Sequence, residues 1–124
     1  MNEKQKILVI DDDNVIRMLV RRILERRGYE VFLAANGNEG LKIANSFSPN
    51  VILLDVNLSD LDGYAVCATI RSQATTRKIP IILISASDDP EDRAHGFDQG
   101  ANDYMTKPFG EDELITRIEA QLRR

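Results

Sequence analysis

The stretch Ile7-Leu8-Val9-Ile10-Asp11-Asp12-Asp13 decides the fold: an apolar run ends abruptly at three acids. Such a run suits a strand buried in a sheet, and the acids mark the strand end where the sheet meets solvent. Four further runs follow, Val31–Ala34, Val51–Leu54, Ile79–Ile84 and the weaker Asp103–Thr106. The segments between them have helical spacing. The first, Asn14–Arg27, places Val15, Ile16, Leu19, Val20, Ile23 and Leu24 on one face, with an acid before it and Gly28 closing it. The spacing predicts further helices over Asn38–Ser46 before Pro49, over Gly63–Gln73, over Glu91–Gln99 before Gly100, and over Glu111–Leu122. In the last of these, Leu114, Ile115, Ile118 and Leu122 recur at three- and four-residue steps. Near-continuous runs such as Val51–Leu54 and Ile81–Ile84 suit strands covered on both faces, so the alternation predicts an α/β fold: a parallel sheet between two layers of helices.

The 124 residues, 43% of them apolar, suffice for one core, and no repeat, low-complexity tract or Pro/Gly/Ser linker marks a second domain. Residues 1–124 are therefore expected to form one domain, either complete or continuing beyond helix five into an output domain. Twenty acidic against sixteen basic side chains give a net charge of −4, which argues against a nucleic-acid surface built from bulk positive charge and for a cation as the small partner. No apolar stretch approaches the roughly 18 residues needed to span a bilayer, and Met1–Lys6 is polar, so no membrane partner is expected. The single cysteine, Cys67, has no partner for an internal disulfide and no neighbour at metal-ligand spacing. A buried filler in a reducing cytoplasm fits it.

In an open parallel sheet, ligands bind outside the carboxyl ends of the strands. Polar residues collect there: Asp11, Asp12 and Asp13 after the first strand, Asp55 after the third, Ser85 after the fourth and Lys107 after the fifth. Aligned carboxylates repel one another unless a cation or protonation offsets them, so stability alone does not explain the set. A hard divalent cation resolves the repulsion. Mg²⁺ takes one or two carboxylates and keeps its other positions for water or phosphate oxygens. A carboxylate can then accept a phosphoryl group as an acyl phosphate, with metal and ammonium groups neutralising the transferring oxygens. Lys107 and the Ser85 hydroxyl are candidates for that task.

Together, Ile7–Asp13, Leu54-Asp55-Val56-Asn57-Leu58 with Asp62-Gly63, Ile84-Ser85-Ala86 and Tyr104-Met105-Thr106-Lys107-Pro108-Phe109 resemble the receiver domain of two-component response regulators. The likeness runs through essentially the whole chain, in order and at the right intervals. It implies a flavodoxin-like, doubly wound five-stranded sheet of order 2-1-3-4-5 with five helices, whose switch point lies between strands one and three. It implies phosphorylation of Asp55 by a histidine kinase or phosphotransfer protein. Mg²⁺ is expected on Asp12, Asp55 and the main-chain carbonyl of Asn57, with Asp11 acting mainly through water. Lys107 is expected to pair with the phosphoryl oxygens, and its bond to Pro108 to be cis. Ser85 and Tyr104 match a switch pair: the hydroxyl moves to the phosphoryl group and the aromatic turns inward into the space vacated. The product is a conformation that controls a downstream protein or fused output domain, in some members through a phosphorylation-dependent homodimer. The resemblance also implies that the domain helps catalyse its own phosphorylation and dephosphorylation and is not otherwise an enzyme.

Ser59 stands where the family commonly has Pro four residues after the acceptor, and only a looser loop is expected of it. Asp13 is read as the cap of helix one, not as a ligand. Asn57 and Ser87 occupy positions that tune hydrolysis in the family.

Other readings fit less well. Asp55–Asp60 mimics the start of a calcium loop, but its sixth position is Asp60 in place of Gly and its twelfth is Val66 in place of a bidentate Glu. An aspartate-nucleophile Mg²⁺ phosphatase would put its nucleophile after strand one with a second acid two residues on, and would need a cap segment. A flavin or nucleotide domain would want a Gly/Ser/Thr-rich loop where three aspartates stand. A receiver-like interaction module that takes no phosphate is the remaining rival. Helix one carries Arg17, Arg21, Arg22, Arg26 and Arg27, and some of these are expected to help recruit the phosphoryl donor. His95 is expected to be an ordinary surface or half-buried residue.

Overall fold

The computed structural model describes residues 3–123, so Met1 and Asn2 of the polar lead, and Arg124 after the last helix, lie outside the described residues. Five strands, β1 (Lys6–Ile10), β2 (Glu30–Ala34), β3 (Val51–Asp55), β4 (Ile81–Ser85) and β5 (Asp103–Thr106), alternate with α1 (Asn14–Arg26), α2 (Gly37–Phe47), α3 (Gly63–Ser72), α4 (Pro90–Asp98) and α5 (Glu111–Leu122). All pairings are parallel and the strand order is β2-β1-β3-β4-β5. Each connection crosses the sheet as a helix, as parallel neighbours require.

The period of two along each strand divides one sheet between two cores. Leu8, Ile10, Ile52, Leu54, Ile81 and Leu83 face one side with Ala44, Val66, Cys67 and Ile70 from α2 and α3. Ile7, Val9, Val51, Leu53, Ile82 and Ile84 face the other with Val20 and Leu24 of α1 and Leu114, Ile115 and Ile118 of α5. Fully burying an aliphatic side chain of this size contributes about 1.5–3 kcal/mol, so two faces of such residues supply the main driving force. Cys67 is buried and free, a filler of the first core.

Three sequence expectations are corrected. Strand four begins at Ile81 and not Ile79, because Pro80 has no N–H to give the ladder, although its carbonyl still accepts from the Ile52 N–H at 2.9 Å. The apolar face of α1 is wider than the strip that the sheet covers: Val20 and Leu24 are buried, while Val15 and Leu19 are 66% and 54% exposed. Helices α2 and α4 each start one residue earlier than predicted. Asn36 caps α2 through the Glu39 N–H, and Pro90, with its fixed φ, suits the first turn of α4 after the Asp89 cap.

Asp13 caps α1 as expected, its carboxylate accepting from the Val15 and Ile16 N–H groups. The helix then ends in Gly28 at φ +91°, a conformation costly for any residue with a Cβ.

Candidate functional site

The carboxyl ends of β1 and β3 are hydrogen-bonded neighbours, and β1 has β2 on its other side, so the crevice opens where the chain reverses direction across the sheet. Register places Ile10 beside Leu54, and so the next residues, Asp11 and Asp55, side by side. Both are nearly inaccessible, at 2% and 5% exposure. Asp12, the residue after Asp11, is exposed at the mouth. One oxygen from each of Asp11, Asp12 and Asp55 lies within 4.8 Å of the others. Asp13 is not in this group, because its carboxylate is spent on the cap.

Lys107 reaches the pair from the end of β5. Its Nζ donates to Asp11 Oδ2 at 3.3 Å and lies 3.5 Å from Asp55 Oδ2. The Lys107 N–H donates to the Ser85 carbonyl at 2.7 Å, which ties the lysine to the end of β4, and the Lys107–Pro108 peptide is cis. One ammonium facing three carboxylates leaves excess negative charge. Burial, and then the charge of Asp11, raise the Asp55 carboxyl to a pKa of about 6, against the opposing pull of Lys107. The donor set is all oxygen, with neither His nor Cys, which fits a small hard divalent cation and disfavours zinc or copper.

The loop after β3 is held close. The Asn57 N–H donates to Asp55 Oδ1 at 3.2 Å, and Asn57 and Asp62 form an antiparallel bridge. Asp62 caps α3 through the Tyr64 N–H. Gly63 then touches the end of β3 directly: a Cβ there would lie 2.3 Å from the Asp55 carbonyl oxygen and 2.4 Å from the Val56 Cα. No side chain fits, and the close seat lets the Gly63 N–H donate to the Val56 carbonyl at 2.9 Å. The signal was a glycine, a poor helix former, at the first position of a capped helix.

Ser85 is buried, and its Oγ accepts from the Ser87 N–H at 3.0 Å. Tyr104 lies inward and fully buried, its hydroxyl donating to the Ser87 carbonyl at 3.0 Å. The Arg93 guanidinium stands 4.9 Å over its ring, and the Ser87 hydroxyl donates to Asp92. Both members of the sequence-predicted switch pair thus meet on Ser87. Beside them, a cleft of about 440 Å³ lined by Val56, Asn57, Tyr64, Ser85, Ala86, Ser87 and Asp92 leaves room for a phosphoryl-sized group.

Sequence reasoning missed three polar side chains. Arg17, read from the sequence only as part of a basic face, donates its Nη1 to the Asp11 carbonyl at 2.6 Å and braces the turn after β1. Asp60 accepts from the N–H groups of Gly37 at 2.8 Å and Asn38 at 3.0 Å, and these amides, Asn38 first, hold its carboxyl below the usual range. Arg71 binds four oxygens at the opposite end of the sheet, those of Gly100, Arg77, Ile79 and the Asn102 side chain. No local pattern announces such contacts, because most of their partners are main-chain groups that come within reach only once the chain has folded. His95 is exposed, its ring 4.5 Å from that of Tyr64. On the α1 side, Ile16, Leu19, Val20 and Ile23 line an apolar groove of about 500 Å³ with Lys107–Gly110.

A doubly wound sheet with an acidic crevice at its switch point and a lysine aimed into it defines a class of domain built to bind a cation together with an anionic group. The sequence pattern of the response regulator receiver domain matches residues 7–119, and the chain belongs to that family. The alkaline phosphatase synthesis transcriptional regulatory protein PhoP of Bacillus subtilis is 45% identical over 120 residues, covering 97% of this chain and 49% of that protein. The chain thus spans about half the length of the curated relatives it matches. A putative response regulator from Chloroflexus aurantiacus superposes with a TM-score of 0.93 at 35% identity, covering 98% of this chain and all of that one. The receiver domain of the Pseudomonas aeruginosa sensor histidine kinase PA1611, solved with magnesium in its active-site cleft, gives 0.91 at 33% identity over 98% of this chain and 100% of its own. Among the described residues no helix is long and apolar enough to cross a membrane.

Proposed function

We propose that the chain is a phosphorylation-operated switch in which Asp55 accepts a phosphoryl group from the histidine of a kinase or phosphotransfer protein, with Mg²⁺ in the crevice. The observation that carries this reading is the convergence of Asp11, Asp12 and Asp55 within 4.8 Å, with Lys107 on the two buried members. Asp12, Asp55 and the main-chain carbonyl of Asn57 would hold the ion, with Asp11 contributing through water. When bound, Mg²⁺ supplies charge neutralisation on the transferring oxygens.

The chain's own residues do the rest. An ionised Asp55 oxygen forms the new O–P bond as the donor's N–P bond breaks, and the donor imidazole leaves with the electron pair and takes up a proton. Lys107 meets one phosphoryl oxygen from the β5 side, and the Ser85 hydroxyl another from β4. The Ser85 shift releases the Ser87 N–H, and Ser87, whose carbonyl already holds the inward Tyr104 hydroxyl, carries the change to that ring. The donor docks over the apolar groove between α1 and Lys107–Gly110, where Leu19 is exposed, and arginines of α1 help recruit it.

The relatives named as transcriptional regulators support an output domain beyond this one, with the signal passed on directly or through a phosphorylation-dependent homodimer. A cytoplasmic setting suits the free cysteine and the kinase donor. Residues 1–124 act as one receiver unit, and its product is a conformation.

Intact mass after treatment with acetyl phosphate and Mg²⁺ tests the proposal. The parent gains one phosphoryl mass, and the gain disappears in Asp55→Ala or with chelator. A parent that gains none from acetyl phosphate or from a histidine kinase would instead be a receiver-shaped binding module.

A further inference from the structure

Ser59 does not stiffen the loop that follows Asp55 as a proline would, yet Asp60, the next residue, makes a two-point contact with another element. Asp60 Oδ1 and Oδ2 accept separately from the Gly37 and Asn38 N–H groups, the first turn of α2. That turn is itself well anchored. Asn36 and Glu39 satisfy each other's backbone N–H neighbourhood, Asn36 Oδ1 accepting from the Glu39 N–H and Glu39 Oε1 from the Ala35 N–H. Gly40 lies against the Ile10 side chain, where an added Cβ would come within 2.5 Å of Cδ1, and the Asp11 N–H donates to the Ala34 carbonyl. The contacts close a ring: from Asp11 at the end of β1, through Ala34 and the start of α2, to Asp60, and back along the loop to Asn57 and Asp55. Two sides of the cation crevice, the β1 end and the β3 loop, are fixed to each other through Asp60.

We infer that Asp60 is a positioning residue for the cation site: by fastening the 55–62 loop to α2, it sets the distance of the Asn57 carbonyl from Asp12 and so the affinity for Mg²⁺. The inference rests on the reading that the crevice holds Mg²⁺. Asp60 touches neither the ion nor the acceptor. It occupies the place of a loop-stiffening device, a fork of two charge-assisted hydrogen bonds in a chain with Ser at position 59.

Calorimetric titration of the whole chain with MgCl₂ at pH 8 tests it, on the parent, Asp60→Ala, Asp60→Asn, Ser59→Pro with Asp60→Ala, Asn50→Ala and Asp12→Ala. Asp60→Ala is expected to weaken Mg²⁺ binding about 10-fold, the low end of the roughly 10–100-fold seen when groups that orient metal ligands are removed. Asp60→Asn, which keeps an acceptor oxygen, retains part of the affinity. Asn50→Ala removes the bond from the Lys6 N–H at the opposite end of the sheet, outside the ring, and keeps the parent affinity, which separates positioning from general loss of stability. Ser59→Pro added to Asp60→Ala stiffens the loop by other means and restores binding. Unchanged affinity in Asp60→Ala beside a parent that binds Mg²⁺ overturns the role of Asp60 alone. Equal losses in the Asn and Ala variants also overturn it, because charge and not the tether would then be responsible. A parent that binds no more Mg²⁺ than Asp12→Ala overturns the metal site itself, and the role of Asp60 with it.

Discussion

The two edges of the sheet handle polar groups in opposite ways. At the amino-terminal edge every one of the contacts described pairs a donor with an acceptor. The Lys6 N–H meets Asn50 Oδ1 at 2.7 Å, and the Ile81 N–H meets Asn102 Oδ1 at 2.9 Å. Arg71 donates to the carbonyls of Gly100, Arg77 and Ile79. At the carboxyl-terminal edge, two buried carboxylates and a third at the mouth face one lysine, and burial keeps Asp55 reluctant to ionise. The first edge is arranged for stability and the second at its expense, and the excess charge at the second is what marks it as the candidate site.

The largest effect expected of this contrast is at the stable edge. Arg71→Ala removes a charged donor shared by four acceptors and is expected to cost about 2–4 kcal/mol of folding stability in urea titrations. Phosphorylation of the molecules that remain folded should proceed at the parent rate. A lowered rate in fully folded protein would show that the two edges are coupled and break the contrast.

The next effect has the opposite sign. In metal-free protein the Asp55 carboxyl has its folded pKa raised from 3.8 to about 6, so the stability linked to its protonation is present below about pH 4 and lost as pH rises through 6. Asp55→Asn removes that dependence. At pH 7.5 with chelator the variant should be more stable than the parent, by up to about 3 kcal/mol if the whole rise of the carboxyl pKa is relieved, and the gap should close by pH 4. A variant less stable than the parent at pH 7.5 would mean that the Lys107 contact outweighs burial.

Asp13→Ala gives the smallest effect. Loss of the cap bonds to Val15 and Ile16 is expected to cost about 1 kcal/mol. Mg²⁺ affinity should change by less than about twofold, because Asp13 meets the crevice only through its backbone N–H, which donates to Asp11 Oδ1. A larger loss of affinity would move Asp13 from the fold's account to the site's.

Much of this contrast was readable from the chain. The apolar runs of β1 and β3 are short, uninterrupted and bounded by polar residues, that of β4 was blurred only at its start by Pro80, and Asp11, Asp55 and Ser85 stand where each run stops, so strand ends and candidate site were found together. Helix α5 was placed at its observed bounds because Leu114, Ile115 and Ile118 are all core residues. Strand order came from the family likeness, since periodicity does not say which strands are neighbours. Helix α1 was read with too broad a buried face, because an apolar residue at helical spacing looks the same whether it meets the sheet, as Leu24 does, or solvent, as Leu19 does. Arg17, Asp60 and Arg71 were not legible, because each recognises main-chain groups whose presence nearby depends on the finished fold.

The setting of Tyr104 also has a practical side. The chain has three tyrosines and no tryptophan, so tyrosine environments dominate its near-ultraviolet absorption and circular dichroism. One of the three is wholly out of water, gives its hydroxyl proton to a carbonyl and has a guanidinium over its ring. Repacking of that ring would alter the optical spectrum of the unlabelled protein, so any change in its setting could be followed by light alone.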